Sequence, residues 1–134
     1  MTTGKHYCVK GAGKNMSKAA RTKGHNFERE IATAFRLAGW LGAKRHLEFQ
    51  VQDCLGYDIE GVEPFRIQCK CYSDYAPISK IKEVKYQAGK VPMLVTRGDN
   101  LDTVCVLYFR DLIRILSQAR ARGLDLTSPT VADF

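Results

Sequence analysis

The seven residues FRIQCKC, from Phe65 to Cys71, alternate strictly between apolar and polar side chains. Successive side chains on a β-strand point to opposite faces of the sheet, so this pattern predicts a strand with one apolar and one polar face. The polar face carries Gln68 and Lys70 two residues apart, which brings both groups over one patch. Either this face is solvated or it takes part in chemistry.

The segments around this strand predict an α/β chain. Apolar residues at helical spacing, between Asn26 as N-cap and Gly39 as C-cap, predict a first helix over 27–38. The later patterns predict, in chain order, strands within 43–49, 51–62 and 64–71, a helix over 77–89, strands over 91–97 and 103–109, and a helix over 110–122. The strand–helix–strand unit in the middle favours a mixed central sheet flanked by helices.

The positive charge of the chain is concentrated near its start. The net charge is +7, and the first 27 residues contain six Lys and Arg but no Asp or Glu. Residues 1–24 are rich in Gly, Lys and Ser without periodicity, so we expect a flexible basic arm. Such an arm suits nucleic acid, with Lys18, Arg21 and Lys23 among its contacts. The alternative is a solubilising tail or a localisation signal.

Length and composition predict one domain after the arm. We expect this domain over 25–123 and a short tail over 124–134. No apolar run reaches the roughly 18 residues of a membrane helix, so no membrane partner is expected. The five cysteines are odd in number and irregularly spaced, which favours reduced thiols over disulfides or zinc and predicts a cytoplasmic location.

Four polar residues could converge on the polar face of the alternating strand. Asp58 lies on the preceding predicted strand, and a hairpin turn over 61–64 would bring it beside Gln68 and Lys70. The first helix offers Glu28 as a further carboxylate. The simpler interpretation is turn chemistry at Asp58 and a solvated strand face.

This set suits phosphodiester hydrolysis assisted by a hard metal ion. Mg²⁺ takes oxygen ligands and keeps several waters, so the carboxylates of Glu28 and Asp58 and the amide of Gln68 could hold it. A bound ion polarises the scissile phosphate and acidifies a water molecule. Lys70 could then stabilise the developing negative charge or orient the attacking water.

Asp58, followed after a gap by the tripeptide QCK at 68–70, resembles the signature of the PD-(D/E)XK nucleases. The segment KGHNFEREIATAFRLAGW at 23–40 resembles the first helix of the archaeal-type Holliday junction resolvases within that superfamily. The resemblance covers roughly residues 23–109. It implies a restriction-endonuclease-like fold with a mixed central sheet flanked by helices.

The resemblance also implies an activity, a cofactor and partners. The implied protein is a Mg²⁺-dependent endodeoxyribonuclease that resolves four-way DNA junctions as a homodimer, with Mn²⁺ as a substitute ion. The first Glu of the ERE run is metal-linked in that family, which corresponds to Glu28. Arg29 and Arg45 correspond to arginines that contact DNA phosphates. A small stand-alone domain of this kind fits a phage or mobile-element product acting in the host cytoplasm.

The chain departs from the family pattern at Gln68, where the family usually has Glu. A Q-x-K variant occurs in the related Mrr-type restriction enzymes, so a duplex-DNA nuclease of that type is one alternative. Because Gln brings no negative charge, we expect weaker metal binding or compensation by Glu60 or Glu63. A non-catalytic nucleic-acid-binding module on the same fold is the other alternative.

Overall fold

The five segments predicted as strands pair into one mixed sheet, which helices flank. The computed structural model describes residues 17–46 and 56–124. Its elements, in chain order, are α1 (Lys18–Leu37), β1 (Lys44–Arg45), β2 (Ile59–Glu60), β3 (Phe65–Cys71), a 3₁₀ helix (Ile78–Glu83), β4 (Val91–Arg97), β5 (Val104–Leu107) and α2 (Phe109–Ala121). The predicted α/β class is therefore confirmed. The predicted arm up to residue 16, strand positions 47–55 and the tail from 125 lie outside the described residues.

The strands lie in the order β1-β2-β3-β4-β5. β3 is antiparallel to β2 and parallel to β4, which confirms both the predicted hairpin and the crossover between two parallel strands. The hairpin turn contains Gly61 at φ +78°, where an added Cβ would lie 2.1 Å from the carbonyl oxygen of Gly42. β5 pairs with β4 and forms one edge of the sheet.

Helix α1 covers the apolar face that the alternation over 65–71 predicts. Its Phe27 and Ile31 are buried in one core cluster with Ile59 and Ile67. Both of these strand isoleucines have no exposed surface. Full burial of such a side chain stabilises the fold by about 1.5–3 kcal/mol relative to leaving it in water. The α1–sheet contact therefore fixes the faces of β2 and β3.

Helix α1 begins at Lys18, well before the predicted start. Its N-cap is Ser17, whose side chain accepts a hydrogen bond from the Ala20 backbone N–H at 3.1 Å. The first turns are exposed and rich in good helix formers, so they carry no periodic apolar signal. Lys18, Arg21 and Lys23, which we assigned to a flexible arm, therefore stand on a helix.

The predicted helix over 77–89 is wrong in type and length. The structure has a 3₁₀ helix at Ile78–Glu83, followed by Val84 in extended conformation. Ile81 and Val84 are the buried residues here, and their spacing of three matches the three residues per turn of a 3₁₀ helix. The crossover therefore lies on the sheet as a short turn and not as a long helix.

Helix α2 confirms the predicted closing helix, which ends before Gly123 at φ +74°. Its one buried residue is Asp111, whereas Phe109 and Ile113 keep 75% and 45% of their surface exposed. This exposed apolar surface does not make α2 a membrane span. Among the described residues, no helix combines the length and apolar character that crossing a bilayer needs.

Candidate functional site

The antiparallel pairing of β2 and β3 places Asp58 across from Gln68. Ile59 pairs with Ile67, so the next positions in register face each other on the other side of the sheet. The Asp58 backbone N–H donates to the Ile67 carbonyl at 2.7 Å, and its Oδ2 accepts a hydrogen bond from the Cys69 backbone N–H at 2.8 Å. The predicted proximity of Asp58 and Gln68 is confirmed, while their catalytic role stays a prediction.

Lys70 lies two residues farther along the same face of β3. Its Nζ is 2.8 Å from Oε2 of Glu83, at the end of the 3₁₀ helix. Gln68 is 7% exposed, and the Lys70 side chain keeps 21% of its surface. The polar face of β3 is therefore covered by the crossover and is not a solvated strand face.

Lys70 and Glu83 stabilise each other's charged form. Burial lowers the pKa of Lys70, but the hydrogen bond and charge of Glu83 outweigh burial and hold this pKa above its ordinary value. Burial raises the pKa of Glu83, but Lys70 and then Lys80 outweigh that effect and hold it below its ordinary value. At neutral pH Lys70 is an ammonium, so it can stabilise negative charge but cannot act as a general base.

Glu28 lies on α1, the helix that covers the face of β3 opposite Gln68 and Lys70. Its Oε2 accepts a hydrogen bond from Nε of Arg45 at 2.7 Å, and both side chains are mostly buried. Burial is the largest factor that raises the pKa of the Cys69 thiol, and the charges of Asp58 and Glu28 raise it further. Both carboxylates are therefore close enough to Cys69 to affect its pKa. Of the two, Asp58 is the one with hydrogen bonds to the neighbours of Gln68.

The donors of this site fit a hard divalent ion better than a soft one. Asp58 and Glu28 offer carboxylate oxygens and Gln68 an amide oxygen, whereas burial raises the pKa of the Cys69 thiol and keeps it protonated. Within 17–46 and 56–124, no three His, Cys, Asp or Glu side chains are grouped to hold a metal ion. Two carboxylates would leave several positions to water, which suits Mg²⁺.

The cations predicted to contact DNA divide into exposed and paired groups. Lys18, Arg21 and Arg29 are exposed along α1. Lys23 also lies on α1, but its Nζ is 2.6 Å from Asp99. This hydrogen bond raises the pKa of Lys23. A phosphate could thus contact the exposed cations directly. To bind Lys23 it would have to displace Asp99, and to bind Arg45 it would have to displace Glu28.

Glu60 and Glu63 are the residues expected to compensate for Gln68. Both form ion pairs with other residues. Glu60 contacts Nδ1 of His46 at 3.0 Å and Nζ of Lys44 at 3.3 Å. Glu63 pairs with Arg66 at 2.8 Å and also with Lys90. Neither carboxylate is paired with Lys70.

Glu83 is the site residue that sequence reasoning missed. In a helix over 77–89, Glu83 would lie on the solvated side, so the local pattern does not indicate a role for it. The order of the strands could have indicated its position. A crossover between adjacent parallel strands must pass over one face of the sheet, and the α1 face was already occupied.

Comparison of the chain with protein-family models, with curated proteins and with solved structures finds no match.

Proposed function

We propose that this protein is a metal-dependent DNA endonuclease with a restriction-endonuclease-like fold, and that it cuts four-way junctions. The observation that carries the proposal is the pair of hydrogen bonds that Asp58 forms with Ile67 and Cys69, the two neighbours of Gln68, with Lys70 farther along the same face of β3. A buried amide and a mostly buried, ion-paired lysine on one strand face are uncommon without a structural or chemical reason.

In the proposed reaction each residue has one task. Asp58, Gln68 and Glu28 would hold Mg²⁺, or Mn²⁺ in its place. A bound ion would supply Lewis-acid polarisation of the phosphate and a water of lowered pKa. Lys70, held as an ammonium, would donate hydrogen bonds to the phosphoryl oxygens as negative charge develops. The cations on α1 would position the DNA backbone without reading its sequence.

The test of this function is a cleavage assay on two labelled substrates with Mg²⁺ or Mn²⁺. One substrate is an immobile four-way junction, and the other is a linear duplex with the same arm sequence. We expect paired symmetric nicks in the junction alone, lost in Asp58→Asn. Equal cutting of both substrates would favour a duplex nuclease of the Mrr-like type. Tight binding without cutting would contradict the nuclease proposal.

A non-catalytic DNA-binding module is the second candidate, and Gln68 favours it. Gln68 adds no charge to this face of the β2–β3 pair, and Glu60, the other carboxylate there besides Asp58, is paired with Lys44 and His46; both weaken the attraction for a divalent ion. The assay above separates the two candidates.

Replacing Gln68 with glutamate should strengthen metal binding. The variant Gln68→Glu would place a carboxylate opposite Asp58, where like charges repel until a cation neutralises them. We expect the variant to unfold at lower temperature than the wild type in EDTA and to recover with Mn²⁺. Its Mn²⁺ affinity should rise about tenfold, which corresponds to about 1.4 kcal/mol. Isothermal titration and thermal unfolding measure both effects.

The matched control is Gln87→Glu. Gln87 is a partly buried amide that accepts a hydrogen bond from Arg66 at 3.0 Å. Since its added charge would lie beside Arg66, Mn²⁺ should not change its stability. An equal response to Mn²⁺ in both variants would remove Gln68 from the metal site.

We further propose that two copies pair through α2, since a junction presents two equivalent cut sites to a symmetric dimer. Four apolar side chains of α2 are exposed: Phe109, Leu112, Ile113 and Leu116. They follow β5, the edge of the sheet. A patch of large apolar side chains on one helix is typical of an interaction surface.

The double variant Ile113→Asp, Leu116→Asp should convert the dimer to a monomer. Unpaired carboxylates in an apolar interface cost about 3 kcal/mol or more, so the dimer Kd should weaken by roughly a hundredfold or more. Sedimentation velocity measures this change. Gln118→Asp on the polar side of α2 is the control and should remain dimeric. A wild-type chain that sediments as a monomer would contradict this part of the proposal.

A further inference from the structure

Glu83 is a carboxylate beside the polar face of β3 that no motif assigns. One of its oxygens, Oε2, lies 2.8 Å from Nζ of Lys70, and the other, Oε1, lies 3.2 Å from Nζ of Lys80. The two lysines differ in their surroundings. The Lys70 side chain is 21% exposed, whereas that of Lys80 is 38% exposed. The pair with Lys70 is thus the more shielded of the two.

The backbone of Glu83 is fixed by packing against the segment that leads to Asp58. A Cβ added at Gly56 would lie 1.9 Å from the Glu83 carbonyl oxygen and 3.3 Å from Cα of Val84. Ile81 and Val84 on either side of Glu83 are buried at 3% and 6% exposure. The carboxylate therefore extends from a backbone that is anchored on the sheet.

At the start of the crossover, the Ala76 backbone N–H donates to Oγ1 of buried Thr96 at 2.9 Å. Thr96 pairs with Lys70 in the register of β3 and β4. The crossover is thus attached at its start to Thr96 on β4, and near Glu83 it packs against Gly56, which precedes β2. The backbone of Glu83 is thus fixed over the sheet, and its side chain, which is 40% exposed, reaches Lys70 from there.

The charge of Glu83 matters because Gln68 has none. On the polar face of β2 and β3, Glu60 is already paired with Lys44 and His46, which leaves Asp58 to supply negative charge beside Gln68 and Lys70. We propose that Glu83 is a positioning residue: its carboxylate holds the Lys70 ammonium on the Asp58 and Gln68 face and supplies the negative charge that the Gln68 amide lacks. The catalytic consequence rests on the proposed nuclease function, whereas the pairing itself does not.

This role differs from that of an ordinary surface ion pair. Exposed pairs contribute between zero and about 1 kcal/mol, and their loss changes little else. Loss of Glu83 would remove the 2.8 Å contact that holds the Lys70 side chain over β3. The Lys70 amine would then be freer to move toward solvent, and it should react faster with acylating reagents.

The experiment compares Glu83→Gln with Lys80→Gln, which removes the other partner of Glu83. The first measurement is the rate at which acetic anhydride labels Lys70 at one fixed pH, followed by mass spectrometry. We expect labelling to be several-fold faster in Glu83→Gln and unchanged in Lys80→Gln. Thermal unfolding confirms that both variants fold, and Glu83→Asp serves as the conservative replacement. Unchanged labelling in Glu83→Gln would overturn the proposal.

The second measurement is junction cleavage by the same variants. We expect kcat to fall at least tenfold in Glu83→Gln with little change in KM, and Glu83→Asp to restore part of the activity. Faster labelling with normal kcat would show that the pair exists without positioning Lys70 for cleavage, which overturns the proposal. A wild type that does not cut would overturn the nuclease function, while the labelling result would still report whether Glu83 holds Lys70.

Discussion

Replacing Lys70 with alanine is expected to abolish cleavage while DNA binding persists. Lys70 is held as an ammonium by Glu83, on the face where Asp58 and Gln68 meet. Removing one preorganised donor to a developing negative charge typically slows a reaction by about 10²–10³-fold. Single-turnover cleavage of a four-way junction measures the chemical step, and a gel-shift titration in Ca²⁺ measures binding.

Lys80→Ala is the matched control for this variant. It removes the same type of side chain from the same carboxylate, but Lys80 lies on the 3₁₀ helix and not on β3. Its cleavage rate should stay within about threefold of wild type, because exposed ion pairs contribute little. If both variants lose the same amount of cleavage activity, the loss comes from the changed charge around Glu83 and not from a specific role of Lys70. Retained cleavage in Lys70→Ala would contradict the role of Lys70.

Residues with a repeating pattern were predicted well. The alternation over 65–71 predicted the strand and the apolar face that α1 covers, because successive strand side chains point to opposite faces. It did not predict that Gln68 on the other face is buried as well. The Gly61 turn gave the β2–β3 hairpin and with it the position of Asp58 relative to Gln68. The apolar spacing after Tyr108, ended by Gly123, gave α2. In each case the signal lies within one or two neighbouring elements.

The position of Glu83 could not be predicted from local sequence patterns. Its position depends on which face of the sheet the crossover covers and on the close approach of Gly56, and both are tertiary facts. Glu28 is a second example. Its place on α1 was predicted, but its pairing with Arg45 depends on how far β1 reaches under the helix. Charged partners chosen by tertiary packing leave no periodic trace in a sequence.

Replacing Gly56 with alanine should destabilise the fold and also impair cleavage. Gly56 adopts φ +79°, and an added Cβ would lie 1.9 Å from the Glu83 carbonyl oxygen. The left-handed backbone costs a residue with a side chain about 1–2 kcal/mol. The steric overlap should add about 1–3 kcal/mol, because one of the two backbones must move. Urea unfolding measures the total, and junction cleavage measures the effect on the site.

Gly89→Ala separates these two contributions. Gly89 has almost the same conformation, φ +76°, but nothing lies within 4 Å of its added Cβ. This control should therefore lose only the cost of the backbone conformation and keep its cleavage rate. The excess loss in Gly56→Ala then measures the contact that joins the Asp58 segment to the crossover. If both variants lose the same stability and both cut normally, that contact does not hold Glu83 over Lys70, and the geometry of the site must be maintained by the strand register alone.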